Sequence, residues 1–308
     1  MKETPIVSIK CLVYNHELYL RECLNGFVMQ KTSFKFEAIV HDDASTDGSA
    51  AIIREYAEKY PDIIKPIYEE ENQYSKHDGS LAKIMNDALN GKYIALCEGD
   101  DYWIDPLKLQ KQVDFLESHK AYSMCFHKAK VIREEGIDKH ANEGLYQNLE
   151  QREYSGEEIL ANWTVPTAST LYRNIKRDNF PEDTRFIYGD IILFLWLCDQ
   201  GKIYCLDEVM SVYRINVNGA AQKKVPFDVY FNHHKAIEEH YDHKYRTVFS
   251  KLIGIKCALR FIYGKSGKER LLVLIDVIKH PKQIPMFLFY FFKFLSEILV
   301  QKFQNHKK

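Results

Sequence analysis

Lys92-Tyr-Ile-Ala-Leu-Cys-Glu98-Gly-Asp100-Asp101-Tyr-Trp-Ile-Asp-Pro106 is the stretch whose reading decides the fold. Its first part, Tyr93 to Cys97, is a short apolar run of the kind that makes a strand buried on both faces. It then changes abruptly to three carboxylates within four residues. After Pro106, Leu109, Val113 and Leu116 recur at helical spacing, which predicts a helix. A buried strand that ends in clustered acids sets negative charge at the carboxyl edge of an open α/β sheet, where such sheets bind ligands. Carboxylates a few ångströms apart repel one another unless a cation lies between them. Mg2+ or Mn2+, hard ions with oxygen ligands, suit that position and usually bridge to substrate phosphates. The other reading is an acidic loop that caps the next helix, since Asp before Pro is ordinary helix-start chemistry.

Outward from this stretch, strands and helices alternate. Pro5 to Val13 is a β-rich run that ends in Tyr14-Asn15-His16, and a helix is predicted from about Glu17 to Met29. Phe36 to Val40 is a second strand, closed by His41-Asp42-Asp43-Ala-Ser45-Thr46-Asp47-Gly48. Ser45, Thr46 and Asp47 all suit the cap of a helix that runs to about Tyr60. A third strand, Ile63 to Tyr68, and a helix, about Asp78 to Leu89, lead into Tyr93. Alternation at this spacing predicts a parallel sheet with right-handed crossovers.

Beyond His119 the pattern loosens. Strands are expected at Ala121 to Val131, Thr167 to Tyr172, Ile203 to Leu206 and Val209 to Ile215, with a loop or hairpin over Arg133 to Arg152. Ser155-Gly-Glu-Glu158 is a capping-box start for a short helix. Gly189-Asp190 opens a helix whose apolar face is Ile191, Ile192, Phe194, Leu195 and Leu197, and Gly201 ends it.

The 308 residues are 46% hydrophobic, enough for one large domain with a smaller appendage. The net charge of -1 hides an asymmetry. From Phe227 onward 15 Lys/Arg stand against 7 Asp/Glu, whereas the first 226 residues hold 27 against 36. An acidic front with a basic rear fits a cation-using site and a separate surface for anionic partners. The seven cysteines are scattered without a CxxC pair, so they read as reduced core residues in a reducing compartment. The opening Met-Lys-Glu-Thr-Pro lacks the apolar core of a signal peptide, so the first domain is expected in the cytoplasm.

Residues 1–226 read as an α/β catalytic domain and 227–308 as an all-helical region with breaks near His243, Gly264 to Gly267 and Pro281 to Pro285. The last segment, Ile284 to Val300, is very apolar and aromatic. Its longest uncharged run is about ten residues, short of the ~20 a spanning helix needs. Lysines flank it and His306-Lys-Lys ends the chain. An interfacial helix lying on an anionic membrane, at the inner face of the cell membrane, fits this composition. The alternative is that the same face packs on the catalytic domain or on a second subunit.

Several sharp motifs fail. Asp43-x-Ser45-x-Asp47-Gly48 begins like a calcium loop, but the twelfth position is Arg54 where a bidentate Glu is required. Gly264-Lys-Ser266 lacks the glycine five positions earlier that a phosphate loop needs. No GxGxxG follows the first strand. His233, His234, His240 and His243 have no HExxH arrangement, and read as a solvated polar face rather than a zinc site. No nucleic-acid partner is expected.

Three carboxylate positions survive, all at strand or helix ends: Asp42-Asp43, Glu98-x-Asp100-Asp101 and Asp190. Their ordered context is Val7-Ser-Ile-x4-Tyr14-Asn15, Val40-x-Asp42-Asp43-x-Ser45-Thr46-Asp47-Gly48-Ser49, and Gly91-Lys-Tyr-Ile94-x3-Glu98-x-Asp100-Asp101. That order resembles the inverting family 2 glycosyltransferases. Gly189-Asp190-x-x-Leu193 with Gly201-Lys-Ile203 is similar to the later Glu-Asp motif of that family and the strand after it. The resemblance covers roughly residues 5 to 215. It implies the GT-A fold, a Rossmann-like α/β domain with a mostly parallel mixed sheet that binds a nucleotide-sugar, with an acceptor-binding second half.

Carried over by position, Asp43 would hydrogen-bond a uracil ring and Tyr14 would line the nucleoside pocket. Glu98 matches the first acid of the family's Asp-x-Asp motif, near ribose and metal. Asp100 matches the metal-ligating acid that holds Mg2+ or Mn2+ on the diphosphate, and Asp190 the catalytic base. Tyr213-Arg214-Ile-Asn216 resembles a Tyr-Arg-x-His segment, which makes Arg214 a candidate diphosphate partner. Trp103 and Trp163 are candidates for the acceptor side, Trp103 being equally a packing residue. The partners implied are a nucleotide-sugar donor, UDP-linked by the resemblance, and a glycan or lipid-linked acceptor.

The chain departs from the family pattern at four points. Leu12-Val13 stand for the usual Pro-Thr, Glu98 for Asp, Gly189 for Glu and Asn216 for His. A sugar-nucleotide nucleotidyltransferase is the competing enzymatic reading, although Val13-Tyr14-Asn15-His16 stands where that class has a Gly-rich, Arg- and Lys-bearing loop. A membrane-bound scaffold without turnover is the non-enzymatic one.

Overall fold

The structure, a computed structural model, describes residues 4–137, 142–217, 219, 225–264 and 266–305. The chain divides into two compact units, one of Met1–Thr184 with Tyr188–Lys224, the other of Arg185–Ile187 with Val225–Lys308.

The first unit is built on one eight-stranded sheet. Its leading half follows the alternation of the sequence: β1 (Val7–Val13), α1 (Leu20–Val28), β2 (Phe36–Asp42), α2 (Ser49–Lys59), β3 (Ile64–Tyr68), α3 (Ser80–Ala88) and β4 (Tyr93–Leu96). β1 lies between β2 and β4, and β3 flanks β2, all parallel. A strand flanked on both edges and covered on both faces is largely apolar. Val7, Ile9, Cys11, Val13 and all of β4 are accordingly buried. Parallel pairing also brings every carboxyl end to one edge of the sheet.

After β5 (Tyr102–Trp103) and α4 (Lys108–Ser118), the sheet turns mixed. β6 (Tyr122–Arg133) is followed by α5 (Asn142–Gln147), α6 (Gly156–Asn162), β7 (Leu171–Arg173), α7 (Gly189–Gln200) and β8 (Lys202–Ile215). The strand order is β3-β2-β1-β4-β7-β6-β8-β5. β7 is antiparallel to β4 and β6, β6 and β8 are parallel, and β5 is antiparallel to β8.

Three local expectations are corrected here. The polar segment after β6 holds the helix α5 rather than a loop or hairpin throughout. Thr167–Ser169 is a 3₁₀ turn, so the strand begins only at Leu171. Ile203 to Ile215 is one strand, whose mismatch with β6 is absorbed by irregularities around His127 and Lys128 instead of by a break. The capping box at Ser155 is formed on both sides. α7 is buried at every position from Ile191 to Leu197, the behaviour of a helix that is apolar all round.

The second unit is helical: α8 (Phe227–His240), α9 (Arg246–Tyr263), α10 (Gly267–Lys279) and α11 (Ile284–Asn305). Its core joins Phe227, Phe231, Phe249, Ile253, Cys257, Val273, Val277 and Phe287. Among the described residues no helix is long and apolar enough to cross a membrane. His233 and His234 are buried rather than solvated, which corrects the polar-face reading, and burial pushes their imidazoles down to about 3 and about 4. Six of the seven cysteines are buried and Cys198 is half-buried.

Candidate active site

The carboxyl edge of β1, β2 and β4 is stitched together by backbone hydrogen bonds. Asp43 donates its N–H to the Val13 carbonyl at 2.9 Å, and Gly99 donates to Leu12 at 3.0 Å. A Cβ on Gly99 would lie 2.7 Å from His16 Nδ1, so only glycine lets the acid turn close onto the end of β1. Asn15 and Ala44, at the ends of β1 and β2, both adopt left-handed backbone (φ 57° and 60°). For Ala44 that conformation is unfavourable, and such strain gathers at functional edges.

The Ser45 to Gly48 segment locks the two loops reciprocally. Asn15 and Glu17 donate backbone N–H groups to Ser45 Oγ and Asp47 Oδ2, and their side chains accept from the Thr46 and Gly48 amides (2.8 to 3.0 Å). Those residues therefore tie loops together, and Asp47 also accepts the N–H of Ser49, the first residue of α2, at 2.9 Å, although the cap position itself is Gly48.

Tyr14 stands at this edge, 47% exposed. Asp43 is buried, and its two carboxylate oxygens accept the backbone N–H groups of Gln73 and Tyr74 at 2.6 and 3.0 Å. The segment after β3 is thereby held over the end of β2. Two carboxylate oxygens offer about four acceptor positions, so these bonds leave capacity for a further donor.

Glu98, Asp100 and Asp101 lie in one turn but in three environments. Asp101 is buried and accepts the Arg214 backbone N–H at 2.8 Å; burial and the neighbouring Asp100 hold its carboxyl well above the usual range. Asp100 accepts a hydrogen bond on Oδ2 from the Asn216 side-chain amide at 2.8 Å. Glu98 is pushed up to about 7 by burial and then by the charges of Asp100 and Asp190, with the Lys10 ammonium opposing. Its residue surface nevertheless stays open to solvent.

Glu98 feels the charges of both Asp100 and Asp190, so the start of α7 lies within electrostatic reach of the acid turn after β4. Asp190 sits in the first turn of α7. Burial raises its carboxyl, while the backbone N–H groups of Ile191 and of Asp190 itself oppose that rise. A carboxylate made more basic in this way, at a helix start that restrains it, suits proton acceptance. Tyr188 is close enough to feel both Asp190 and Tyr74, and its ring packs edge-on against Trp163 at 4.8 Å. Trp163 itself holds left-handed backbone (φ 52°) at the end of α6.

Two candidates have other engagements. Trp103 is 2% exposed, packs against Phe27 at 4.9 Å and donates its ring N–H to the Ala168 carbonyl at 2.8 Å. No face of its ring is left for a sugar, so it is a core residue and not part of the acceptor side. Arg214 pairs with Glu22, donates Nε–H to the Asp100 carbonyl at 2.9 Å and lies over the Tyr19 ring. These contacts brace the acid turn from behind.

Sequence reasoning missed Lys10 and Arg177, whose charges meet each other and, for Lys10, Glu98. A lysine in the middle of an otherwise apolar central strand was the available signal for Lys10. Asn216 was read only as a loss of histidine, yet it orients Asp100.

Among the described residues no group of three or more His, Cys, Asp or Glu side chains is arranged to hold a metal ion by itself. The oxygen donors of Asp100 and Glu98, neighbours in one turn, nonetheless fit Mg2+ or Mn2+. Such ions commonly take one or two carboxylates and complete their shell with phosphate oxygens and water.

The family model described as Glycosyl transferase family 2 matches residues 8–183. Uncharacterized protein Rv1520 of Mycobacterium tuberculosis is 40% identical over 215 residues, 69% of this chain and 60% of that protein. The chain thus spans about 60% of the length of this relative. Staphylococcus aureus TarS 1-349, solved in complex with UDP-GlcNAc, superposes with a TM-score of 0.60 at 18% identity, covering 89% of this chain and 80% of that one. The mannosyltransferase PcManGT from Pyrobaculum calidifontis, solved with GDP-Man and Mn2+, gives 0.53 at 15% identity, over 91% and 76%. These likenesses carry the GT-A fold, and with the match over more than half of its length the chain belongs to glycosyl transferase family 2.

Proposed function

We propose that the protein is an inverting glycosyltransferase that moves a sugar from a nucleotide-diphospho-sugar, UDP-linked, to an acceptor hydroxyl. The reading is supported by Glu98 feeling the charges of both Asp100 and Asp190, acids that lie after β4 and at the start of α7. TarS and PcManGT, of the same fold, were solved with a UDP- and a GDP-linked sugar, which supports a nucleotide-sugar donor.

The donor's base lies against Tyr14 and Asp43, and its diphosphate reaches toward Glu98 and Asp100. Asp100, with Glu98 beside it, would hold a divalent ion, which would supply charge neutralisation for the leaving diphosphate. Asp190 accepts the proton of the acceptor hydroxyl as that oxygen bonds to the anomeric carbon. The carbon–oxygen bond to the diphosphate breaks, its electron pair leaves with the nucleotide, and the configuration inverts. One displacement needs one base, so no second nucleophilic carboxylate is invoked. Arg214 and Asn216 position the acid turn, and Trp163 with Tyr188 borders the acceptor side. Asp190 at a helix start and a cleft shared by separate strands favour transfer over a scaffold role.

The setting is assembly of a surface or lipid-linked polysaccharide at the cytoplasmic face of the cell membrane, supported by the basic, apolar C-terminal helices. Screening nucleotide sugars for Mn2+- or Mg2+-dependent nucleotide release tests the proposal. Release that depends on Asp190 is expected; turnover unchanged in Asp190→Asn would remove that residue from the mechanism.

A further inference from the structure

The helical unit carries an apolar surface that its own core does not use. α10 buries Val273 and Val277 in that core. On its opposite side Leu271, Leu274, Ile275 and Ile278 follow the i, i+3, i+4, i+7 spacing of a single face and are 57, 37, 38 and 70% exposed. α11 repeats the arrangement. Phe287, Phe291 and Phe294 pack inward, whereas Leu288, Phe292, Leu295 and Leu299 form an outward stripe, 36 to 61% exposed.

Charge around the α10 stripe is one-sided. At 3.6 residues per turn, Lys268 and Lys279 border it on one edge and Arg270 on the other. Glu269 and Asp276 fall on the core side of the helix, and Asp276 is tied to Arg260 at 3.0 Å. Lys282, just past the helix, and Lys293 on α11 are exposed too. An apolar stripe bordered by cations complements a surface that is apolar beneath and anionic above. A second copy docking on the same stripe would set these cations against their own counterparts.

We infer that α10 and α11 together form the docking surface for an anionic lipid bilayer, with Leu271, Leu274, Ile275 and Ile278 entering the headgroup–acyl boundary and Lys268, Arg270 and Lys279 contacting lipid phosphates. The inference deepens the membrane part of the proposed function by placing contact on α10, which the apolar run of 284–300 does not contain. It also makes truncation of α11 a poor test, because α11 is part of the core. A Cβ on Gly254 of α9 would lie 2.7 Å from Met286 Cβ, so these helices pack in close contact.

The test is co-sedimentation of the full chain with vesicles of phosphatidylcholine containing phosphatidylglycerol, and of phosphatidylcholine alone, at low and high salt. Binding is expected only to the anionic vesicles and is expected to weaken with salt. Leu274→Glu with Ile278→Glu should weaken partitioning about tenfold or more, and Lys268→Gln with Lys279→Gln should weaken it and flatten the salt dependence. Circular dichroism melting checks the fold, and Ile278→Ser is the milder substitution if the double variant unfolds. Nucleotide release from the donor, with a soluble acceptor present, should be unchanged in all of them, which separates this inference from the catalytic proposal. Equal binding to both vesicle types, undiminished binding of the folded α10 variants, or a concentration-dependent dimer in sedimentation velocity that these variants abolish would overturn it.

Discussion

The two units of this chain maintain opposite kinds of unfavourable group. The sheet unit confines carboxyls where burial opposes their charge, as at Glu98, Asp101 and Asp190, with repulsion from Asp100 adding to it at the first two. The helical unit neutralises its buried titratable groups, His233 and His234, and leaves leucines and phenylalanines in water. Crowded acids invite a cation and a proton donor, whereas a stripe of exposed apolar residues among lysines invites an interface. The type of cost a region tolerates indicates the chemistry of its partner.

The sharpest way to break the comparison is at Asp190. Asp190→Asn should lower kcat by roughly 10²–10⁴-fold while nucleotide affinity, read by calorimetry, stays unchanged. Next comes the support of Asp100. Asn216→Ala removes its hydrogen-bond partner and should weaken Mn2+-dependent nucleotide binding by roughly 10–100-fold, with metal-free nucleotide binding unaffected. Equal losses with and without Mn2+ would instead mean that Asn216 serves the nucleotide pocket.

Acid titration sets Glu98 of the sheet unit against His233 and His234 of the helical unit. Glu98 is raised from 4.5 to about 7 in the fold, so the folded state holds its proton longer than the unfolded chain does. Its contribution is therefore present at low pH and lost as pH rises toward 7. His233 and His234 are lowered from 6.5, so their contribution runs the other way, lost as pH falls from 6.5 toward 4. All three tryptophans belong to the sheet unit, so tryptophan fluorescence follows that unit alone while far-ultraviolet circular dichroism follows both. Glu98→Gln should flatten the fluorescence-monitored dependence of melting temperature between pH 4.5 and 7. An unaltered slope would mean that the charge of Glu98 is already compensated.

The smallest effect is expected at Gly189, where an added Cβ meets nothing within 4 Å. Gly189→Glu, which restores the acid the family commonly carries there, should change stability by no more than about 0.5 kcal/mol in denaturant titration. A large loss would show that the start of α7 is closed rather than open.

Much of the sheet unit was legible because its elements are local. The parallel half announces itself through apolar runs that end in Tyr14, Asp43 and Glu98, and the helix starting at Ser155 through a four-residue capping signal. Where tertiary pairing decides, reading failed. β8 looks like two strands because Asp207 and Glu208 interrupt its apolar pattern, yet pairing with β6 carries the backbone through. Trp103 looks like a stacking ring beside acids, and only the approach of Phe27 and Ala168 makes it core. In the helical unit the breaks were plain from Gly and Pro, but the outward stripe of α10 was not, because Leu271 to Ile278 is apolar on every side and only packing on α9 chooses which face is covered.

The order of acids along the chain, the strand-ending turns that hold them and the uneven charge of its two ends are properties of the sequence alone, because each depends on neighbours within a few residues. Which of those acids feel one another's charge, what Arg214 holds, and which leucines are left in water depend on residues tens to hundreds of positions apart. Those contacts exist only once the sheet and the helices have packed.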